Sequence, residues 1–234
     1  MIRLSMAFAL ILLWCTGCQT TATLYTLSVA VDPAIAEPLD LSGEALIFQD
    51  QGIWGAILPL DFNQLGNPAD LDKAWDFPNP LAGLYEPYHE PILFYLIMEN
   101  RSGLPLTFNT SASFALTFEG LPLFPIEYDN LYQDLYQRSD GGPRIENIKR
   151  LLFKNRGTLL PGEHARGLLL FRRPDPGKRE AKPLIFRIKR LHLGKDEVNF
   201  ILPFRLTMEK IEPAKPDPED GNRMHGRPSP RPAS

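Results

Sequence analysis

Apolar and polar residues alternate with period two along much of this chain, a pattern that predicts half-buried β-strands. The clearest case is 198–208, where Val198, Phe200, Leu202, Phe204 and Leu206 share one face. A second strand is predicted at 184–193, and Gly194-Lys195-Asp196-Glu197 between the two reads as a hairpin loop. Pro203 brings no N–H to a ladder, which predicts an edge or bulge position for its strand. Near the start, 24–31 puts Tyr25, Leu27, Val29 and Val31 on one face, and the apolar runs 44–49 and 53–58 flank the turn Asp50-Gln51-Gly52. Residues 92–98 are continuously apolar, as expected of a strand covered on both sides. After a turn at 99–103 the pattern resumes through Leu104, Leu106 and Phe108, then through Phe114, Leu116 and Phe118, and 168–171 adds one more strand.

Helical spacing interrupts the strands once. Tyr128, Tyr132 and Tyr136 recur every four residues with Leu131 and Leu135 beside them, and Asp129 is placed to cap the start. Such a stripe is expected to pack its helix on a sheet, with a sugar- or partner-binding face as the alternative. Asp140-Gly141-Gly142-Pro143 breaks that helix and opens a second, which carries Ile145, Ile148, Leu151 and Leu152 on one side. Residues 61–91 lose all periodicity apart from a short helix expected around 69–75, and an irregular stretch of that length is usually functional or mobile. Beyond Pro213 the chain is rich in Pro and charge, so 212–234 is expected to be a disordered tail.

Short strands separated by turn signals predict a mainly β fold, an antiparallel β-sandwich with one or two short helical insertions, across 24–211. Glu99-Asn100-Arg101-Ser102 at a strand end, the turn Leu160-Pro161-Gly162-Glu163, and Gly167 opening Leu168-Leu169-Leu170-Phe171 give residues 92–208 a resemblance to the immunoglobulin-like domains of secreted bacterial lipoproteins. It implies architecture only.

The N-terminus changes the functional picture. Arg3 precedes an apolar run from Leu4 to Trp14 broken only by Ser5, too short to span a bilayer and of the length a secretory signal needs. Thr16-Gly17-Cys18 follows, and the whole resembles a bacterial lipoprotein signal peptide, with Cys15 standing where the pattern usually has an aliphatic residue. The resemblance implies cleavage between Gly17 and Cys18, palmitate and other acyl chains on Cys18, and a tether over 18–23. Gln19 after the cysteine resembles sorting to the outer membrane, facing the periplasm, in a Gram-negative envelope. A redox or metal reading of Cys15-x-x-Cys18 lacks both the strand-to-helix junction and any further cysteine among the chain's two. The processed domain then holds no free thiol and is stabilised by packing alone.

Candidate chemistry is sparse. Glu86, His89 and Glu90 gather two carboxylates and an imidazole in the long loop, a set able to hold a divalent metal or small ligand, although Pro87 and Pro91 deny it a common helix face. His164, His192 and His225 read as turn, strand and tail residues. Nucleophile elbows, phosphate loops and zinc-protease helices are missing from the sequence, and no cofactor is implied. A dispersed Ser, His and Asp hydrolase site is the remaining catalytic reading. Charge is polarised: 32–99 is almost entirely acidic, Lys73 excepted, and 172–190 is dominated by Arg and Lys. The basic stretch is expected as a solvated face, as a neutralising neighbour of the acidic one, or as a surface for anionic headgroups or an acidic partner. Nucleic acid is not an expected partner of an exported chain with net charge −3. The expectation is a noncatalytic envelope lipoprotein, held to the membrane through Cys18, whose sandwich meets another envelope protein.

Overall fold

The computed structural model describes residues 25–32, 41–42, 45–62, 65, 79–86, 89–174 and 181–210. In chain order the strands are β1 (Tyr25–Val31), β2 (Leu41–Ser42), β3 (Ala45–Asp50), β4 (Ile53–Leu60), β5 (Ile92–Asn100), β6 (Leu106–Asn109), β7 (Phe114–Phe118), β8 (Leu121–Leu123), β9 (Arg156–Leu159), β10 (His164–Phe171), β11 (Lys182–Leu193) and β12 (Asp196–Lys210). The helices are α1 (Thr110–Ser113), α2 (Tyr128–Tyr136) and α3 (Gly141–Leu151). None of the described helices is long and apolar enough to cross a membrane. The predicted segment 69–75, the tail 212–234 and all residues up to Leu24 lie outside the described residues.

Two antiparallel sheets result. One runs β1-β12-β11-β6-β9, with β7 pairing β11 and β8 pairing β7; the other runs β10-β5-β4-β3-β2. Their facing sides enclose a core in which Phe94 of β5 meets Phe171, Phe186 and Phe204 at ring distances of 6.1, 5.1 and 4.9 Å. Each fully buried aromatic contributes about 1.5–3 kcal/mol through removal of apolar surface from water. The expected mainly β sandwich with short helical insertions is the fold that forms.

The unbroken apolar run of β5 has a structural reason. Phe94, Leu96 and Met98 enter the core between the sheets, whereas Leu93 and Tyr95 face the other way into a second core. That second core joins Leu168 and Leu170 of β10 to Leu131 and Leu135 of α2 and to Ile145, Ile148 and Leu151 of α3. Helices α2 and α3 therefore form a third layer on one sheet, whereas α1 joins β6 to β7 and contacts β11 in the other.

The turns are tighter than the sequence pattern indicates. Asp50 pairs with Ile53, so the loop is Gln51-Gly52 with φ of 49° and 80°. Leu193 likewise pairs with Asp196, leaving Gly194-Lys195 as the loop. Two-residue turns with positive φ match the twist of the flanking strands. Two of the three features carrying the immunoglobulin-like resemblance, 99–102 and 160–163, meet at one corner, while Gly167–Phe171 runs along β10 away from it. Asn100, fully buried, donates from Nδ2 to Leu104 O and Leu159 O, both at 2.8 Å, and its Oδ1 accepts from Ser102 N at 3.0 Å and Ser102 Oγ at 2.6 Å. Gly162 N donates to Asn100 O and Asn100 N to Glu163 O, tying the 160–163 turn to the same corner.

Three expectations are corrected. Pro203 lies on an interior strand, since β12 is flanked by β1 and β11. Its carbonyl accepts from Asp32 N just past the end of β1, so the N–H that proline lacks falls at the end of that pairing and not within it. Asp129 does not cap α2: the cap position is Glu127, no side chain bonds there, and Asp129 sits inside the first turn where the helix dipole favours its charge. His164 opens β10, paired with Glu99, and is not in a turn.

Candidate functional site at the tyrosine row

The α2 helix docks through Leu131 and Leu135, which are buried. At 100° per residue the tyrosine stripe is centred roughly 80° round the helix from those leucines. Sheet packing thus takes the leucines and part of Tyr128 and leaves Tyr132 and Tyr136 outside, contrary to the core-packing expectation for those two. Tyr132 is 38% exposed and Tyr136 69% exposed. The rings lie in a row, with centroids 6.0 Å apart from Tyr128 to Tyr132 and 5.5 Å from Tyr132 to Tyr136, the latter pair stacked at 26°.

One end of the row opens on a cavity of about 280 Å³. It lies against the free edge of β10, between two chain segments that close that edge above and below. Ile126 N donates to Leu170 O at 2.7 Å and Phe153 N donates to Leu168 O at 2.9 Å. The floor is aliphatic, from Ile126, Leu152 and Leu168–Leu170, and the rim is polar, with Glu127, Asp129, Lys149, Lys154, Asn155, Thr110 and Ser111. Lys149 links cavity and row: its Nζ is 5.9 Å from the Tyr128 ring centroid and 2.9 Å from Glu146 Oε1. The hydrogen bond and charge of Glu146, and the neighbouring Tyr128, hold this ammonium above its usual range.

The helical layer is braced from the long loop. Arg144 Nε donates to Pro80 O at 2.8 Å and its Nη2 to Ala82 O, while Arg138 Nη2 donates to Gly83 O at 2.7 Å. Leu81 is buried between these contacts. Tyr85 packs edge-on against Phe62, and its phenol is pushed up to about 12, chiefly by burial and then by Asp134, against an opposing effect of Arg172. The turn at 79–85 therefore serves as a clasp on the hairpin of α2 and α3.

The arrangement suits recognition by mixed contacts. Thr110 Oγ1 donates to Lys154 O and Ser111 Oγ to Asn109 Oδ1, so both rim hydroxyls are bonded to neutral acceptors. No histidine lines the cavity. His164 and His192 are exposed on β10 and β11, with no shared cavity. In the long loop, Glu86 and His89 are exposed and Glu90 half-buried, and no group of three or more His, Cys, Asp or Glu among the described residues is placed to hold a metal. Glu90 instead acts electrostatically on Arg173, whose guanidinium burial holds below its usual range. Gly17, Cys18 and His225 lie outside the described residues. Periodicity pointed to the tyrosines; nothing local pointed to Thr110, Lys149, Lys154 or Asn155, which come together only in the fold.

No protein-family model matches the chain, and no curated protein matches it. Among solved structures it is similar to the crystal structure of the yjhA protein from Bacillus subtilis, at 14% identity, covering 66% of this chain and 93% of that one, with a TM-score of 0.37.

Proposed function

We propose that the chain is a lipid-anchored module of the bacterial envelope, held by acyl chains on Cys18 and working by binding another envelope protein through the tyrosine row and the cavity beside it. The observation that carries this reading is the exposure of Tyr132 and Tyr136 on a helix already docked by Leu131 and Leu135. Tyrosine combines a flat apolar body with a hydrogen-bonding tip and is enriched in protein interfaces, where a few such side chains dominate affinity. The rim adds both signs of charge and an aliphatic floor, a combination suited to a polypeptide surface. The anchor is supported by the sequence from Arg3 to Cys18, and Gln19 favours the outer membrane.

A photoreactive amino acid placed at Tyr136 in living cells tests the contact. The expected result is one discrete adduct with another envelope protein, absent when the same probe replaces Lys195 at the distant β11–β12 turn. Identical adduct patterns from the two positions would remove the site. Palmitate labelling tests the anchor separately: incorporation should disappear in Cys18→Ser, and label retained by that variant defeats the lipoprotein reading.

A further inference from the structure

Strand β11 carries an irregularity that concentrates charge. Ile188 pairs with Phe200 and Leu191 with Val198, so Lys189 and Arg190 together oppose the single residue Asn199. This is a β-bulge, a feature that re-aims side chains. Ile188 and Leu191 are both buried, and the two intervening cations are both exposed on the outer side of the sheet, where regular alternation would send one of them inward. Arg190 has a φ of 54°, a conformation unfavourable for a residue with a Cβ, and it is held there by its N–H donating to Asn199 Oδ1 at 3.1 Å. Asn199 is itself oriented by Glu197, whose Oε1 accepts from its Nδ2 at 3.3 Å. Among the described residues neither Lys189 nor Arg190 makes an ion pair. Arg187 extends the strip, and Ile201, directly opposite it in register, is 62% exposed.

We propose that this outer side of the β11–β12 sheet docks on the anionic lipid surface to which the chain is tethered. The proposal rests on acylation of Cys18. From Cys18 to the start of β1 is seven residue steps, which at about 3.6 Å each reach at most roughly 25 Å. Strand β1 belongs to this same sheet and pairs with β12, so the tether feeds into the sheet that bears the strip. Screening confines attraction to about 8–10 Å at physiological salt, and a short tether makes that contact recurrent. The exposed Ile201 among cations matches a headgroup region with apolar material beneath it. Helices α2 and α3 pack on the other sheet, so docking in this way turns the tyrosine row away from the bilayer.

Partitioning onto vesicles of phosphatidylglycerol and phosphatidylcholine tests the strip without the anchor. Residues 25–209 form one compact unit with its own cores, so the processed chain from residue 18 with Cys18→Ser can be used free of signal peptide and acyl chains. Lys189→Gln with Arg190→Gly removes two charges, and glycine keeps the positive φ of the bulge. Each cation near an anionic surface gives about a five-fold gain, so the double variant should partition about 30-fold more weakly. The difference should vanish at high salt. Arg150→Gln with Arg166→Gln removes the same charge from the helical side and should stay within about three-fold of the parent. Equal weakening by both pairs, or equal binding of the parent to pure phosphatidylcholine, overturns the proposal. Palmitate labelling of the native chain is scored independently, so failure of the anchor and failure of the strip are distinguishable.

Discussion

Replacing Gly167 by Ala should cost more stability than any other single methyl group added at an exposed-looking edge, because the obstacle is backbone. A Cβ at Gly167 would lie 2.5 Å from Phe153 N, 2.7 Å from Phe153 Cα and 2.8 Å from the carbonyl carbon of Leu152. Comfortable contact between such atoms is about 3.5–4.0 Å, so the 152–153 segment must move by about 1 Å, with no rotamer available to relieve it. That movement breaks the Phe153 N to Leu168 O bond of 2.9 Å, a net loss of about 0.5–1.5 kcal/mol. It also disturbs the buried Phe153 ring, 5.3 Å from Phe108 and 5.5 Å from Phe114, and overpacking of this kind costs about 1–3 kcal/mol. The sum is about 2–4 kcal/mol, which for a chain of this size lowers Tm by roughly 5–15 °C. Gly103 is the matched control: it is exposed in the turn after β5, nothing beyond its own chain neighbours lies within 4 Å of where its methyl group would stand, and Ala there should raise stability by about 0.4–1 kcal/mol. Thermal melts and urea titrations of the two variants decide the matter. A Gly167→Ala protein melting within about 2 °C of the parent, or both variants shifting in one direction, would refute the close approach that shapes the cavity wall.

Tyr132→Ala with Tyr136→Ala should leave stability within about 0.5–1 kcal/mol of the parent because neither ring docks the helix, whereas Leu135→Ala should cost about 2–5 kcal/mol; comparable losses in urea titrations would place the row in the core. Asn100→Asp should destabilise by about 2–4 kcal/mol, since a carboxylate offers Leu104 O and Leu159 O no donor and is itself buried, and a denaturation midpoint unchanged from the parent would dismiss the corner as a structural hub. The phenol of Tyr85 is raised from 10.0 to about 12, so the folded state keeps a proton that the unfolded chain has released. Its contribution to stability is therefore complete below pH 10.0 and is lost as pH climbs towards about 12. Tyr85→Phe should flatten that alkaline decline, and near-ultraviolet titration of the parent should show a late phenolate step missing from the variant.

Most of the sheet framework is readable from alternation because the sandwich has one buried and one exposed side along β11, β12 and β7. Continuous apolarity marked β5, where a second core takes the residues that would otherwise face solvent. Strand β9 escaped because Arg156-Gly157-Thr158-Leu159 has no apolar period, and its place is set by pairing with β6. Pro203 misled for a similar reason: a missing N–H matters most where a partner strand continues, and the sequence does not record that β1 ends at Val31. The tyrosine stripe was visible as a spacing, yet α2 carries two apolar stripes and only the shape of the β10–β5 surface selects the leucines.

The proposed address and the proposed site draw on the sequence in different ways for a physical reason. In the proposed lipoprotein reading, Arg3, the apolar run and Thr16-Gly17-Cys18 would be read as linear chain, so that proposal needs no fold. The cavity draws on α1, the turn before α2, the end of α3 and the edge of β10, stretches separated by long sequence intervals and joined only when Ile126 and Phe153 close on Leu170 and Leu168. Closing a sheet edge with two separate backbone contacts is a way of preventing association with other strands. Here the closure leaves a gap between the contacts, and the gap abuts Tyr128 and Lys149. The same feature that protects the sheet from indiscriminate pairing thus shapes a polar-rimmed hollow at the foot of an exposed aromatic row, and the proposed binding role rests on that combination and not on the edge alone.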